Sequence, residues 1–126
     1  MKPRLIIADY HKIIRDGIKD LFMDSNIDIV GEAGDGLETI QMVEELKPDI
    51  LLLDINMPKL DGLGVLEHLR KRLPQLKIVI LSMYKELKDM AFHAGANGFC
   101  HKDSDVKDLL AGIERIVKGE TFVCDR

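Results

Sequence analysis

Five short apolar runs, each followed by a stretch of helical periodicity, predict an α/β domain: a doubly wound, five-stranded parallel sheet in the order 2-1-3-4-5, with five helices on its two faces. Two observations carry this. Runs such as Ile50-Leu51-Leu52-Leu53 are apolar without alternation and too short for a helix, which is how a strand covered on both faces reads. The 126 residues, 46% hydrophobic and 32% charged, hold no repeat or low-complexity segment and suffice for one domain with its own core.

Taken in order, Arg4-Leu5-Ile6-Ile7-Ala8 is the first strand and ends at Asp9. Ile13, Ile14, Gly17, Ile18, Leu21 and Phe22 then recur at helical spacing, giving an amphipathic helix over residues 11–23 that Asp24-Ser25-Asn26 breaks. Residues 27–33 supply a second strand, whose polar Asp28 and Glu32 suit a sheet edge. Gly34-Asp35-Gly36 is a turn with a candidate N-cap, and Leu37, Ile40, Val43 and Leu46 line a helix that stops before Lys47-Pro48. The central third strand follows and delivers Asp54. Pro58 and Asp61-Gly62 mark the loop after it as turn chemistry, with Gly62 supplying a positive φ and Met57 packing the loop.

Leu63, Leu66, Leu69 and Leu73 line the third helix, ended by Pro74. Lys77-Ile78-Val79-Ile80-Leu81 is the fourth strand and delivers Ser82. Leu87, Met90, Ala91 and Ala94 mark a weaker helix closed by Gly95. Gly98-Phe99-Cys100-His101 is the fifth strand, with His101 at its outer end, and it delivers Lys102. The clearest helical stripe comes last, through Leu109, Leu110, Ile113, Ile116 and Val117, capped by Ser104 or Asp105 and ended at Gly119. Residues 120–126 read as the start of a linker.

Composition removes several function classes. The net charge is −4 and no run of Lys or Arg is long enough to track a phosphate backbone, which argues against nucleic-acid binding by this segment. Cys100 and Cys124 form neither a disulfide framework nor a metal-ligand spacing, and Cys100 reads as a small core residue. His11, His68, His93 and His101 are scattered. No apolar stretch approaches membrane length and no signal peptide is expected, so no membrane partner is expected and the default compartment is the cytoplasm.

What remains is a convergence. In open α/β sheets ligands bind at the carboxyl ends of the strands, and four strand ends here offer Asp9, Asp54, Ser82 and Lys102. Singly each has a bland reading: an Asp after a strand caps a helix, a Ser sits in a turn, a Lys is a solvated charge. Together they divide labour. Two carboxylates suit a hard divalent cation such as Mg²⁺, while a hydroxyl and an ammonium suit anionic oxygens. A carboxylate balanced by such cations can attack a phosphoryl donor and form an aspartyl-phosphate.

These residues carry a resemblance. Ile7-Ala8-Asp9, Arg15-Asp16-Gly17, Leu53-Asp54-Ile55-Asn56-Met57-Pro58, Asp61-Gly62, Leu81-Ser82, Ala94-Gly95-Ala96-Asn97-Gly98-Phe99 and Lys102-Asp103 together resemble the receiver domain of bacterial two-component response regulators. They are most similar to receivers that precede a LuxR-type helix-turn-helix output domain. The resemblance implies a flavodoxin-like receiver over residues 1–119, with 120–126 leading toward an output domain outside this chain. It implies Asp54 as phosphoacceptor from a sensor histidine kinase, Ser82 and Lys102 as partners of the phosphoryl group, and Asp9, Asp54 and the Asn56 carbonyl as Mg²⁺ ligands. It implies Ser82 and Phe99 as a switch that alters the face of the fourth helix and fifth strand to control transcription. Such a domain is a signalling module and not an enzyme, with self-catalysed phosphoryl transfer and slow autodephosphorylation as its own chemistry. DNA would be reached only through the output domain, and homodimerisation through the last helix or the fourth-helix face stays open.

One departure matters. The family has two acidic residues after the first strand, the second a direct metal ligand, and here the pair is Asp9-Tyr10. A neutral phenol is a poor Mg²⁺ ligand, so weakened metal binding is expected. The alternative is a pseudo-receiver that signals by protein contact, with the Tyr10 ring filling the pocket mouth. Two further classes fit less well. Phosphatases with a nucleophilic Asp carry a second Asp two residues on, where Asn56 stands. A flavin carrier would need a Gly- or Ser/Thr-rich phosphate cradle, and Asp9-Tyr10-His11-Lys12 is acidic and bulky.

Overall fold

The computed structural model describes residues 2–124; positions 125 and 126, at the end of the stretch read as a linker, lie outside the described residues. Strands β1 (Arg4–Ala8), β2 (Asp28–Ala33), β3 (Ile50–Asp54), β4 (Lys77–Ser82) and β5 (Gly98–His101) alternate with helices α1 (Lys12–Phe22), α2 (Gly36–Leu46), α3 (Gly62–Arg72), α4 (Lys88–His93) and α5 (Val106–Val117). A single 3₁₀ turn, Lys85–Leu87, leads into α4, which is only 6 residues long.

The sheet is parallel throughout and has six strands, not five. Its order is β2-β1-β3-β4-β5-β6, where β6 is Phe122–Cys124, inside the stretch read as a linker. The cause is local. Phe122 and Cys124 are buried on one face while Val123 between them is exposed, the period of a strand with one face covered. The Phe122 ring lies over Gly98 and Gly112, and a Cβ on Gly112 would stand 2.1 Å from it. A three-residue alternation is too short to register in the sequence as a strand.

Two cores flank the sheet. Ile6, Ala8, Leu51, Leu53, Ile78, Ile80 and Phe99 face α2, α3 and α4 side chains such as Val43, Leu66 and Ala91. Leu5, Ile7, Ile50, Leu52, Val79, Leu81 and Cys100 face Ile18 and Phe22 of α1 and Leu109, Ile113 and Ile116 of α5. Every residue of β3 is buried, which is why its run shows no alternation.

The helix starts are side-chain capped where Asp was available. Asp35 accepts from the Glu38 N–H, Asp61 from Gly64 and Asp105 from Lys107, each satisfying a donor the helix leaves open. Of the two candidate caps for α5, Asp105 takes the position. Gly62 does not have the positive φ expected of it; Lys59, with φ 71°, turns the loop instead. A Cβ at Gly62 would lie 2.3 Å from the Asp54 carbonyl oxygen, so glycine is required there for close approach. That contact presses the start of α3 onto the end of β3.

Candidate functional site

Asp9, Asp54, Ser82 and Lys102 come from the ends of β1, β3, β4 and β5, and the parallel register sets those ends side by side: Ala8 is opposite Leu53, Asp54 opposite Leu81 and Ser82 opposite His101. Asp9 is 0% exposed and Asp54 2%. Lys102 bridges them, its Nζ 2.9 Å from Asp9 Oδ2 and 3.2 Å from Asp54 Oδ1. One ammonium therefore faces two buried carboxylates.

Asp9 is held on its other oxygen. The His11 N–H donates to Oδ1 at 2.8 Å, and the His11 imidazole Nδ1 lies 3.5 Å from the same atom. The Arg15 guanidinium donates to the Asp9 carbonyl and, through Nε, to Glu32 at 2.7 Å, tying the first loop to β2. These contacts fix the direction in which the Asp9 carboxylate points.

Asp54 is held less completely. Its Oδ1 takes Lys102 and a 3.3 Å hydrogen bond from the Asn56 N–H. Its Oδ2 is buried and has no hydrogen-bond partner. Burial and the neighbouring Asp9 charge push the Asp54 carboxyl above the ordinary carboxylate range, opposed by Lys102 and the Asn56 N–H. An anionic oxygen left so is costly, and an incoming electrophile or cation would relieve the cost.

Ser82 is buried and engaged along its own loop. Its Oγ accepts from the Tyr84 N–H at 2.9 Å, while its proton has only the Tyr84 carbonyl, 3.4 Å away. Its backbone carbonyl accepts from the Lys102 N–H at 2.8 Å, tying the two loops together. Phe99 is wholly buried in the core facing α2, α3 and α4. Tyr10 is 58% exposed, its ring edge-on to that of His11 at 5.3 Å and 74°.

The oxygen donors present fit a hard divalent ion. Asp9 and Asp54 are two buried carboxylates, one with a spare oxygen, and the Asn56 backbone follows directly. Among the described residues no three His, Cys, Asp or Glu side chains gather as a metal site, and Asp9 and Asp54 are the two carboxylates that meet at this edge. That number suits Mg²⁺, which keeps waters and takes one or two carboxylates.

Residues 5–114 match the response regulator receiver domain. The chain belongs to that family. It is 37% identical over 124 residues to the nitrate/nitrite response regulator protein NarL of Escherichia coli K12, covering 96% of this chain and 57% of NarL. Among solved structures it superposes on a LuxR-family two-component response regulator from Aurantimonas with TM-score 0.92 and 30% identity, covering 97% of this chain and 89% of that one. The isolated receiver domain of RcsB from Salmonella enterica, in the presence of the phosphomimetic BeF3⁻, gives TM-score 0.91 at 25% identity, covering 99% and 95%. The chain spans about half the length of the curated relatives it matches. Receiver domains are signalling domains of two-component systems and generally take Mg²⁺ at the phosphorylation site. Among the described residues no helix is long and apolar enough to cross a membrane.

The sequence reading missed one member of this edge. His101, expected at the outer end of its strand, is 8% exposed and hydrogen-bonded on both ring nitrogens. Its neighbour Lys102 was the only signal that it stood near chemistry.

Proposed function

We propose that this chain is a phosphoacceptor receiver that takes a phosphoryl group from a sensor histidine kinase onto Asp54. The observation that carries the reading is the buried, unpartnered Asp54 Oδ2 beside a carboxylate-bridging lysine. As the Asp54 oxygen–phosphorus bond forms, the bond from phosphorus to the kinase imidazole breaks, and that imidazole recovers a proton. Lys102 Nζ, already between the two carboxylates, turns to the phosphoryl oxygens, and Ser82 redirects its loosely held proton to another. Asp9, Asp54 and the Asn56 carbonyl would hold Mg²⁺, which supplies positive charge for the phosphoryl oxygens. With Tyr10 in place of an acid, that ion is held by fewer anionic groups, and weaker Mg²⁺ binding follows.

Ser82 and Phe99 form the switch in this reading. A Ser82 drawn toward the phosphoryl group pulls Tyr84 and the turn before α4 with it, and the Phe99 side chain, packed in the core that α4 covers, adjusts to the new loop. The receiver expected over residues 1–119 extends through β6 to Cys124, and a transcriptional output domain beyond it is the part through which alone DNA is contacted. Because β6 runs parallel to β5, its carboxyl end points toward the edge that carries Asp54. The RcsB relative is described as two dimers bound to two parallel DNAs, which supports a homodimer as the form this chain takes in the cell, the cytoplasm.

A second reading keeps the fold and drops the chemistry: a pseudo-receiver acting by protein contact, favoured by the exposed Tyr10 where an acidic ligand belongs. Incubation with a small phosphodonor and Mg²⁺, followed by intact mass measurement, separates the two. The proposal expects one added phosphoryl group on the wild-type chain and none on Asp54→Ala. No adduct, or one that survives Asp54→Ala, removes the reading of Asp54 as phosphoacceptor, and the first of these outcomes favours the pseudo-receiver.

A further inference from the structure

The residues just after Ser82 and Lys102 are joined by a side chain outside the reacting set. The His101 imidazole lies 2.8 Å through Nε2 from the Met83 carbonyl, and its Nδ1 accepts from the Asp103 N–H at 3.2 Å. An amide N–H only donates and a carbonyl only accepts, so Nδ1 is bare and Nε2 carries the proton. The ring is neutral, 8% exposed, and satisfied at both ends. Its own backbone carbonyl accepts from the Ser104 N–H at 2.9 Å, and its Cα is in register with Ser82.

A buried, hydrogen-bonded histidine is ordinarily only a core residue. Here its partners decide otherwise. Met83 follows Ser82 and Asp103 follows Lys102, so the imidazole is a rigid strut of fixed length between the loops that carry the hydroxyl and the ammonium. The Ser82 hydroxyl takes its orientation from the Tyr84 N–H, and the Met83 carbonyl that His101 holds belongs to the same peptide group as that N–H. With one lone pair occupied by Tyr84, the proton of Ser82 is the group left to give.

We infer that His101 is a positioning residue for phosphoryl transfer at Asp54: in its Nε2–H tautomer it sets the spacing between the Ser82 and Lys102 loops. The assignment rests on the phosphoacceptor reading of Asp54 and adds to it a residue that touches neither donor nor phosphoryl group. A static strut of this kind acts through placement, and a misplacement of reacting groups by about 1 Å costs up to roughly a hundredfold in rate.

The test uses the full chain, a small phosphodonor and Mg²⁺, with adduct formation followed by mass. His101→Leu removes both arms and is expected to slow adduct formation about tenfold. His101→Gln keeps a donor that reaches Met83 and is expected to recover most of the rate. On the wild-type chain, ¹⁵N spectra of the ring are expected to show Nε2 protonated and Nδ1 not, with both resonances shifting when the adduct forms. The inference is overturned if a folded His101→Leu reacts at the wild-type rate, or if the ring proton is on Nδ1. Should His101→Leu fail to fold, the Gln variant and the ring spectra decide, and a Gln variant no faster than His101→Ala overturns it. A wild-type chain that forms no adduct removes the phosphoacceptor reading itself, a different result from a wild-type chain that reacts as fast as its His101 variants.

Discussion

The two edges of the sheet treat buried charge in opposite ways. At the amino edge Arg70 of α3 donates to the carbonyls of Gly95, Pro74 and Leu76 at 2.7–3.0 Å and to Asn97 Oδ1 at 2.9 Å. The same Asn97 oxygen also accepts from the Ile78 N–H, so the guanidinium and the strand starts form one closed network. At the carboxyl edge Lys102 serves two carboxylates, and Asp54 Oδ2 is left without a partner. One edge spends its polar groups on holding the fold, and the other keeps a valence open. A polar network built for stability closes on itself, whereas one built for an incoming group does not.

The sharpest way to break this contrast is to remove the cation at the open edge. Lys102→Met leaves Asp9 and Asp54 facing each other in a buried site and is expected to cost about 3–5 kcal/mol near neutral pH. The loss shrinks on acidification, because the Asp54 carboxyl is already biased toward its protonated form. Urea unfolding at neutral and mildly acidic pH checks both statements. A loss independent of pH would place the cost in packing and not in charge.

Arg70→Met probes the closed edge. It strands several carbonyls and is expected to cost about 2–3 kcal/mol. The rate of adduct formation per folded molecule should stay at the wild-type value, since Arg70 touches nothing at the carboxyl edge. A parallel fall in rate would mean that the two edges are coupled.

Asp54→Asn sharpens the comparison with the opposite sign. Folding raises the proton affinity of Asp54, so the folded chain keeps a proton that the unfolded chain has released. Stability therefore falls as pH climbs from the ordinary carboxylate range to the raised value, and is level above it. Asn carries no charge to bury, and the variant is expected to gain about 1 kcal/mol at neutral pH and nothing in acid. The wild-type minus variant difference across pH isolates this group from Glu32, which Lys19 and Arg15 hold below the ordinary range and which acts in the opposite direction.

How far the sequence spoke depends on how many residues carried each signal. The five long strands and the helices α1, α2, α3 and α5 were legible because burial on one or two faces repeats over many positions. Strand β6 was not, since Phe122-Val123-Cys124 is one alternation and its packing on Gly98 and Gly112 is a tertiary fact. The site was legible as a set of residue types at strand ends. Its geometry was not: nothing in the sequence says that Lys102 splits between two carboxylates, that Ser82 turns to Tyr84, or that His101 spans two loops. Gly62 was recognised as necessary for the wrong reason, because a clash with the Asp54 carbonyl is a tertiary fact.

The smallest expected effect lies at Tyr10. Tyr10→Asp adds a third carboxylate beside Asp9 and is expected to tighten Mg²⁺ binding about threefold, or about 0.6 kcal/mol. Titration followed by calorimetry checks it, and unchanged affinity would remove Asp9-Tyr10 from the metal site.

The most direct measurement locates the new bond. After reaction with a small phosphodonor and Mg²⁺, proteolysis and peptide mass mapping of the full chain should find the acyl-phosphate on Asp54, the carboxylate with the spare oxygen. A phosphoryl group on Asp9, on Ser82 or nowhere would contradict the account.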